Sequence, residues 1–336
     1  MKSLVTGATG LVGRHLVDAL LLRGEEVRAF ARPSSDVAVL RKRGVQVHVG
    51  NLTDQAAVAA AAEGVDRVFH CAELSRDWGP AIAFQQANVD GVRSVLGAAT
   101  RAGARFVFLS TTQVYGFPGA PADETVSPSP RGFGYADSKI EAEALVRTRQ
   151  RTVNLPTVII RRGTVYGPRA TRTVLAILDG LRDHTLKLYD GGRHVAGLTY
   201  VGNLVDAMIL AGDKEEAAGR IYNITDGSEV TWREYVHALA DALQLSRPRN
   251  SQPRWMAYLL ASLWESYYRM TGRNDRPPMT ASNVEVMGTD QIYPIDRSRR
   301  ELGYSPRVGL EEGIQRTIEW LREAGHDEDI FWPDAA

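Results

Sequence analysis

The chain has 336 residues, 44% hydrophobic and 24% charged, enough for one large domain or two modest ones with a sizeable core. Lysine plus arginine match aspartate plus glutamate at 40 each, which excludes a global field that recruits nucleic acid or an anionic membrane and leaves only local patches. The single cysteine, Cys71, excludes an intrachain disulfide. MKSLVTGATG enters a strand-like segment without a signal-peptide stretch, and no apolar run attains the roughly 18 residues of a membrane span, so a cytoplasmic protein is expected.

In chain order, short runs rich in Val, Ile and Phe read as strands at 3–7, 26–31, 45–50, 66–72, 105–111 and 156–161. Between them, GLVGRHLVDALLLRG and NVDGVRSVLGAATRAG carry apolar residues at three-to-four spacing and end in glycine, as helices do. The alternation predicts an α/β fold, a Rossmann-type doubly wound parallel sheet. Beyond about residue 165 the regularity fades. Pro248, Pro253, Pro277 and Pro278 flank a Trp- and Tyr-rich helix at 255–270, while GLTYVGNLVDAMILAG (197–212) reads as strand then helix. The expected division is 1–165 plus about 194–215 for the cofactor domain, with about 166–193 and 216–336 forming a smaller, discontinuous substrate lobe.

TGATGLVG (6–13) joins the first strand to the first helix. Gly7 permits the tight turn, Gly10 lets a pyrophosphate reach backbone N–H groups at the helix N-terminus, and Gly13 allows close helix-on-strand packing. The second strand ends in FARPSSD, with Ala31 and Arg32 where a carboxylate would bind the adenosine ribose of NAD(H). Arg32, with Ser34 and Ser35, suits a 2'-phosphate, so NADP(H) is the preferred cofactor and NAD(H) the alternative.

YADSK puts Tyr135 and Lys139 one helical turn apart on one face. An ordinary tyrosine titrates near 10, too high for a base at neutral pH, and a neighbouring ammonium favours phenolate. LSTTQVYG (109–116) ends the fifth strand, at the carboxyl edge where open α/β sheets bind ligands, so a hydroxyl there is placed to steady a substrate oxygen.

TGATGLVG, HCAE (70–73), NVDG (88–91), STTQVYG, YADSK and TVYGPR (164–169), in this order and spacing, resemble the extended short-chain dehydrogenase/reductase family, which includes nucleotide-sugar epimerases and dehydratases. The resemblance implies that Tyr135 is the acid/base, Lys139 its pKa-lowering and ribose-binding partner, and Thr111 the third member, with Thr112 as the fallback. It also implies a cofactor site formed by Gly7, Thr9, Gly10, Leu11, Val12, Gly13, Arg32, Asn51, Leu52, Cys71, Ala72, Glu73, Asn88, Tyr135, Lys139, Gly163, Thr164 and Val165. A homodimer through helices at roughly 88–102 and 136–150 is a further implication.

The second half, including RIYNITDG (220–227) and YPIDRSRRELGYSPRVGLEEGIQRTIEWL (293–321), is similar to the bacterial 3β-hydroxysteroid dehydrogenase-like group, whose relatives act on sterols and long-chain β-hydroxy or β-keto lipids. The expected function is therefore alcohol–ketone interconversion on a small hydrophobic substrate. Trp255, Met256, Tyr258, Leu259, Leu260, Leu263, Trp264, Tyr267 and Tyr268 would wall an apolar pocket, rest peripherally on a membrane, or pack the lobe's core. Three residues depart from the family pattern: Asn51 replaces an aspartate, Arg162 a proline, and Glu73 a small residue, the last facing either substrate or solvent. A nucleotide-sugar enzyme, for which Arg169, Arg172 and Arg254 are diphosphate candidates, and a non-catalytic NADP(H) sensor are the competing functions. The seven histidines lack metal-ligand spacing with Cys71, so no metal is expected, and no nucleic-acid partner.

Overall fold

The computed structural model describes residues 1–324 apart from Asn274. Seven strands form one parallel sheet: β1 (Lys2–Thr6), β2 (Glu26–Ala31), β3 (Gln46–Val49), β4 (Arg67–His70), β5 (Arg105–Thr111), β6 (Thr157–Arg162) and β10 (Ile221–Ile224), in the order β10-β6-β5-β4-β1-β2-β3. Register places Val5 beside Ala29 and Phe69, and Thr111 beside Arg162. Both faces of the inner strands are covered, which is why they read as largely apolar runs, while the edge strand β3 is half-buried to exposed. The chain reverses direction across the sheet at β1, between β2 and β4, and that crevice at the carboxyl edge is where such sheets hold ligands.

On one face, α1 (Leu11–Leu22) packs beside α8 (Val201–Asp213) through Leu16, Leu20, Leu204 and Met208, all fully buried. On the other, α3 (Gln55–Ala62), α5 (Gly91–Ala102) and α6 (Gly134–Val153) pack through Val58, Val95, Leu96, Ala142 and Val146. Between α4 (Ala81–Phe84) and α5 runs a π-helical turn, Gln85–Asp90, which carries Asn88. Ahead of β3 lies α2 (Ala38–Lys42).

The remaining elements are β7 (Thr164–Tyr166) paired with β9 (Leu198–Tyr200), α7 (Thr171–Arg182), β8 (Leu188–Tyr189) paired with β11 (Ser251–Gln252), α9 (Trp232–Ala242), α10 (Arg254–Thr271), α11 (Ala281–Gly288) and α12 (Leu310–Ala324). Strand then helix at 197–212 appears as expected, and α8 returns to the sheet. The seventh strand, Ile221–Ile224, lies in the stretch 216–336 that the sequence assigns to the second lobe, yet it pairs with β6. A four-residue strand at the sheet edge carries too little periodicity to reveal its neighbour.

In α10 the small residues Ala257 and Ala261 face α11 with Glu265 and Tyr268, so the large apolar side chains point outward. Trp255 is 68% exposed and Leu263 59%, and of the stripe only Tyr268 is buried, so core packing is the role of that one residue and not of the stripe. No helix among the described residues is long and apolar enough to cross a membrane.

Candidate active site

The glycine loop forms the turn its sequence demands. Gly7 has φ +68°, a left-handed conformation, and a Cβ there would lie 2.6 Å from the Ala72 nitrogen. A Cβ on Gly13 would lie 2.1 Å from the Gly7 carbonyl oxygen, so helix and loop touch through backbone. Gly10 differs: its Cβ would meet only that same oxygen, at 3.3 Å, and the residue is exposed. It caps α1 without a side-chain bond, so the first N–H groups of the helix are left uncapped by protein, the condition under which a helix N-terminus can take an anion. Thr9 and Leu11 are half-buried around it, and Val12 is buried in the core.

These residues fit a dinucleotide. Ala31 is buried at the end of β2 and Arg32 is exposed just beyond it. Arg14, one residue past Gly13, lies in the fields of Asp36 and Arg169, a basic neighbour that sequence reading missed although it directly follows the glycine motif. Asn51 is exposed, and half-buried Leu52 lies against α5, where a Cβ on Gly91 would come within 3.2 Å of it.

The segment after β4 is firmly placed. Cys71 is buried, and the Ala72 N–H donates to Thr6 Oγ1 at 3.3 Å. Asn88 accepts from the Leu74 N–H at 2.7 Å and donates to the Leu74 carbonyl at 3.1 Å and to Ser138 Oγ at 2.9 Å. Expected at the cofactor, Asn88 is thus buried with its amide spent on holding this loop to α6. Gly163 and Thr164 likewise spend their N–H groups, on the Ile224 and Gly197 carbonyls, and Val165 is buried in β7.

Tyr135 and Lys139 share the first turns of α6, as their spacing requires. Lys139 Nζ donates to the Leu109 carbonyl at 2.6 Å and lies 4.3 Å from the centre of the Phe108 ring, which fixes α6 against the end of β5. Thr111, the last residue of that strand, is buried and its Oγ1 accepts from the Gln113 N–H; Thr112 is buried beside it. Lys139 Nζ also lies 3.1 Å from Glu73 Oε2.

The cation on the phenolic oxygen is not Lys139. Arg162 Nη2 donates to Tyr135 Oη at 3.1 Å and to Glu73 Oε1 at 2.8 Å, and the tyrosine hydroxyl donates to Glu73 Oε2 at 3.1 Å. Glu73 therefore points neither to open substrate space nor to solvent, but to the Tyr135 hydroxyl, Arg162 and Lys139. Arg162 and Lys139 hold its carboxyl down at about 2 against the opposing effect of burial. Tyr135 is pushed up, chiefly by burial, with Arg162 opposing and Glu73 reinforcing the rise. Burial lowers Lys139, while Glu73 pulls it back up. The signal in the sequence was that Glu73 and Arg162 are two of the three departures from the family pattern; their pairing was not readable.

Two of the three diphosphate candidates are already engaged by carboxylates. Arg169 donates to Asp18 on α1 at 3.1 Å, Arg254 donates to Glu285 at 2.7 Å, and the Arg172 side chain lies outside the described ones. Arg254 and Glu285, with Arg131, Trp255 and Tyr258, line a cavity of about 390 Å3. It adjoins the loop that leads into Tyr135 and the start of α10. A larger open depression of about 770 Å3, lined by charged residues including Asp213, Arg220 and Glu301, lies at the amino edge of the sheet, away from this chemistry. Among the described residues no group of three His, Cys, Asp or Glu side chains is arranged to hold a metal.

The family model described as the NAD dependent epimerase/dehydratase family matches residues 3–225. The chain is 31% identical to the 4-hydroxy-2-methyl-3-oxo-4-farnesyl-3,4-dihydroquinoline-1-oxide ketoreductase of Stigmatella aurantiaca, covering 97% of each chain. It is 32% identical to the 2-alkyl-3-oxoalkanoate reductase of Stenotrophomonas maltophilia, covering 94% of this chain and 98% of that one. The crystal structure of UDP-glucose 4-epimerase with UDP-glucose from Thermotoga maritima superposes with a TM-score of 0.77 at 22% identity, over 96% of this chain and 99% of that one, a likeness of fold.

Proposed function

Because the chain belongs to the NAD dependent epimerase/dehydratase family, we propose that it is an NAD(P)-dependent oxidoreductase, preferring NADP(H), that interconverts a secondary alcohol and a ketone on a hydrophobic substrate. The substrate class is a long-chain β-hydroxy or β-keto lipid or a sterol-like molecule. The observation that carries this reading is the Tyr135 hydroxyl at the carboxyl edge of the sheet, 3.1 Å from Arg162 Nη2, with Lys139 one turn on. Both relatives bear names of reductases of alkyl- or farnesyl-substituted oxo compounds.

NADP(H), when bound, supplies or receives the hydride. Gly10 and the N-terminus of α1 would hold its pyrophosphate, Arg32 its 2'-phosphate, and Lys139 its ribose hydroxyls. In reduction, the Tyr135 hydroxyl gives its proton to the substrate oxygen, and the phenolate left behind faces the Arg162 guanidinium. Thr111, beside Arg162 in the β5–β6 register, orients that oxygen. The 390 Å3 cavity and the apolar flank of α10 beside it suit a greasy substrate, and the outward face of that helix suits peripheral contact with a lipid surface that stores it. Arg169 and Arg254 are each already engaged by a carboxylate, which favours this reading over the nucleotide-sugar alternative. The sensor alternative leaves the Tyr135 cluster without a purpose.

Ketones of the lipid, sterol and UDP-sugar classes are screened by NADPH absorbance, with Tyr135→Phe as the control. Turnover of a lipid ketone that falls about 10²- to 10⁴-fold in the variant supports the reading, and turnover unchanged by the substitution overturns it. Arg32→Ala is expected to weaken NADPH about tenfold while sparing NADH; equal loss for both removes the 2'-phosphate role.

A further inference from the structure

Arg162 and Glu73 lie 89 positions apart in the sequence and meet beside the reacting oxygen. Neither is a mobile surface side chain. Arg162 is the last residue of β6, in register with Thr111 on one side and Ile224 on the other. Glu73 sits between Ala72, bonded to Thr6, and Leu74, bonded twice to Asn88. Their side chains are 13% and 11% exposed, and Arg162 Nε is buried without a hydrogen-bond partner, leaving one donor of the guanidinium unspent in the site.

The positions also compensate each other. A lone carboxylate here would face a phenol it cannot allow to ionise, and a lone guanidinium would be a buried, unpaired charge. Together they are neutral, and they grip one oxygen from two sides: Arg162 donates to it and Glu73 accepts from it.

We propose that Glu73 and Arg162 belong to the catalytic apparatus as a matched pair, holding the Tyr135 hydroxyl between an acceptor and a donor and so governing when it releases its proton. This rests on the reading of Tyr135 as the acid/base. Arg162 favours the phenolate and Glu73 the phenol, so removing either alone mis-sets the tyrosine, and removing both restores much of the balance. Lys139 is the third charged group at this point, from the tyrosine's own helix. The other titratable neighbours hold fixed charge: burial keeps His70 neutral down to about 3 and the Cys71 thiol protonated up to about 12, while Glu143 is matched by Arg161.

The test is a double-mutant cycle of Glu73→Ala, Arg162→Ala and the combination, with Glu73→Gln and Arg162→Lys as conservative variants. In ketone reduction, Glu73→Ala is expected to move the high-pH fall of the rate to lower pH by about one unit or more, because Arg162 then acts on Tyr135 unopposed. Arg162→Ala is expected to lower kcat about tenfold or more, and the double variant to recover a large part of that loss. Ultraviolet difference titration of tyrosinate, each protein against its Tyr135→Phe counterpart, reads the same shift without turnover. An unshifted Tyr135 titration in Glu73→Ala, or single effects that simply multiply in the double variant, overturns the pair. A shifted titration in a protein that reduces no ketone keeps the pair and removes the proposed function instead.

Discussion

Asp77 and Arg276 bind each other 199 positions apart, with Arg276 Nε donating to both carboxylate oxygens at 2.9 and 3.1 Å. Thr280 Oγ1 adds a bond to the same carboxylate at 2.7 Å. One residue along, Trp78 meets Tyr268 edge-on at 6.4 Å and lies under Arg269. The loop that carries Glu73 is thereby fastened to the lobe that carries α10. Since the pair is partly exposed, Arg276→Ala is expected to cost only about 0–1 kcal/mol of stability. It is expected to raise KM for a bulky apolar ketone several-fold with kcat nearly kept. Steady-state kinetics beside a denaturant melt check this, and an unchanged KM removes the clasp from substrate binding.

The outward face of α10 exposes Leu263 at 59% and Met270 at 87%. Leu263→Lys is expected to leave stability unchanged, because the side chain packs against little, and to weaken association with phospholipid vesicles about tenfold. Co-sedimentation measures it. Wild-type protein that does not sediment with vesicles, while still turning over a soluble short-chain ketone, rejects the lipid-surface role.

The glycine loop separates folding from binding at two positions three residues apart. Gly13→Ala drives a methyl into the Gly7 carbonyl, and a loss of about 3 kcal/mol, the upper end for overpacking, is expected. Gly10→Ala meets only a 3.3 Å contact, so the protein should fold and lose dinucleotide affinity. Thermal melts and NADPH titration distinguish them; equal destabilisation of both would contradict the looser fit at Gly10.

Beneath the site, Arg161 donates to Glu143 at 3.0 and 2.7 Å, and Ser110 adds a bond to the same carboxylate at 2.7 Å. Both charged side chains are 1% exposed. Glu143→Ala leaves a buried guanidinium unpaired and is expected to cost about 3–5 kcal/mol, whereas Glu143→Leu with Arg161→Met is expected to cost much less. Urea denaturation of the two variants gives the comparison.

Asp226 accepts from the Tyr200 N–H at 2.9 Å and from Asn203 Nδ2 at 2.8 Å, and burial pushes its carboxyl up to about 6 from an ordinary 3.8. A raised folded-state value means that its stabilising contribution is complete below the ordinary value and is lost as pH rises through about 6. The difference in unfolding free energy between the wild type and Asp226→Asn should therefore change by on the order of 2–3 kcal/mol between pH 4 and 7. A flat difference curve refutes it.

What could be read from the residues in order was whatever depends on near neighbours. Gly7 with a left-handed turn, Gly13 with helix contact, and Tyr135 with Lys139 one turn on follow from backbone sterics and the helical period, which operate within a few residues. The inner strands were visible because burial on both faces makes their runs largely apolar, whereas the edge strand β3, QVHV, is half-buried to exposed and was visible through its β-branched residues.

Three things depended on which distant segments become neighbours. Strand β10 joined the sheet because β6 offered it an open edge, and no pattern in IYNI records that partner. The stripe on α10 points outward because Ala257 and Ala261 fit closely against α11, a choice periodicity leaves open between two faces. Glu73 and Arg162 read as two separate departures until the β5–β6 register and the Asn88-held loop brought them to one oxygen. Local sequence fixes the conformation of a segment, but the contact of one charge with another is set by strand order and packing, and a buried ion pair exists only once both have closed around it.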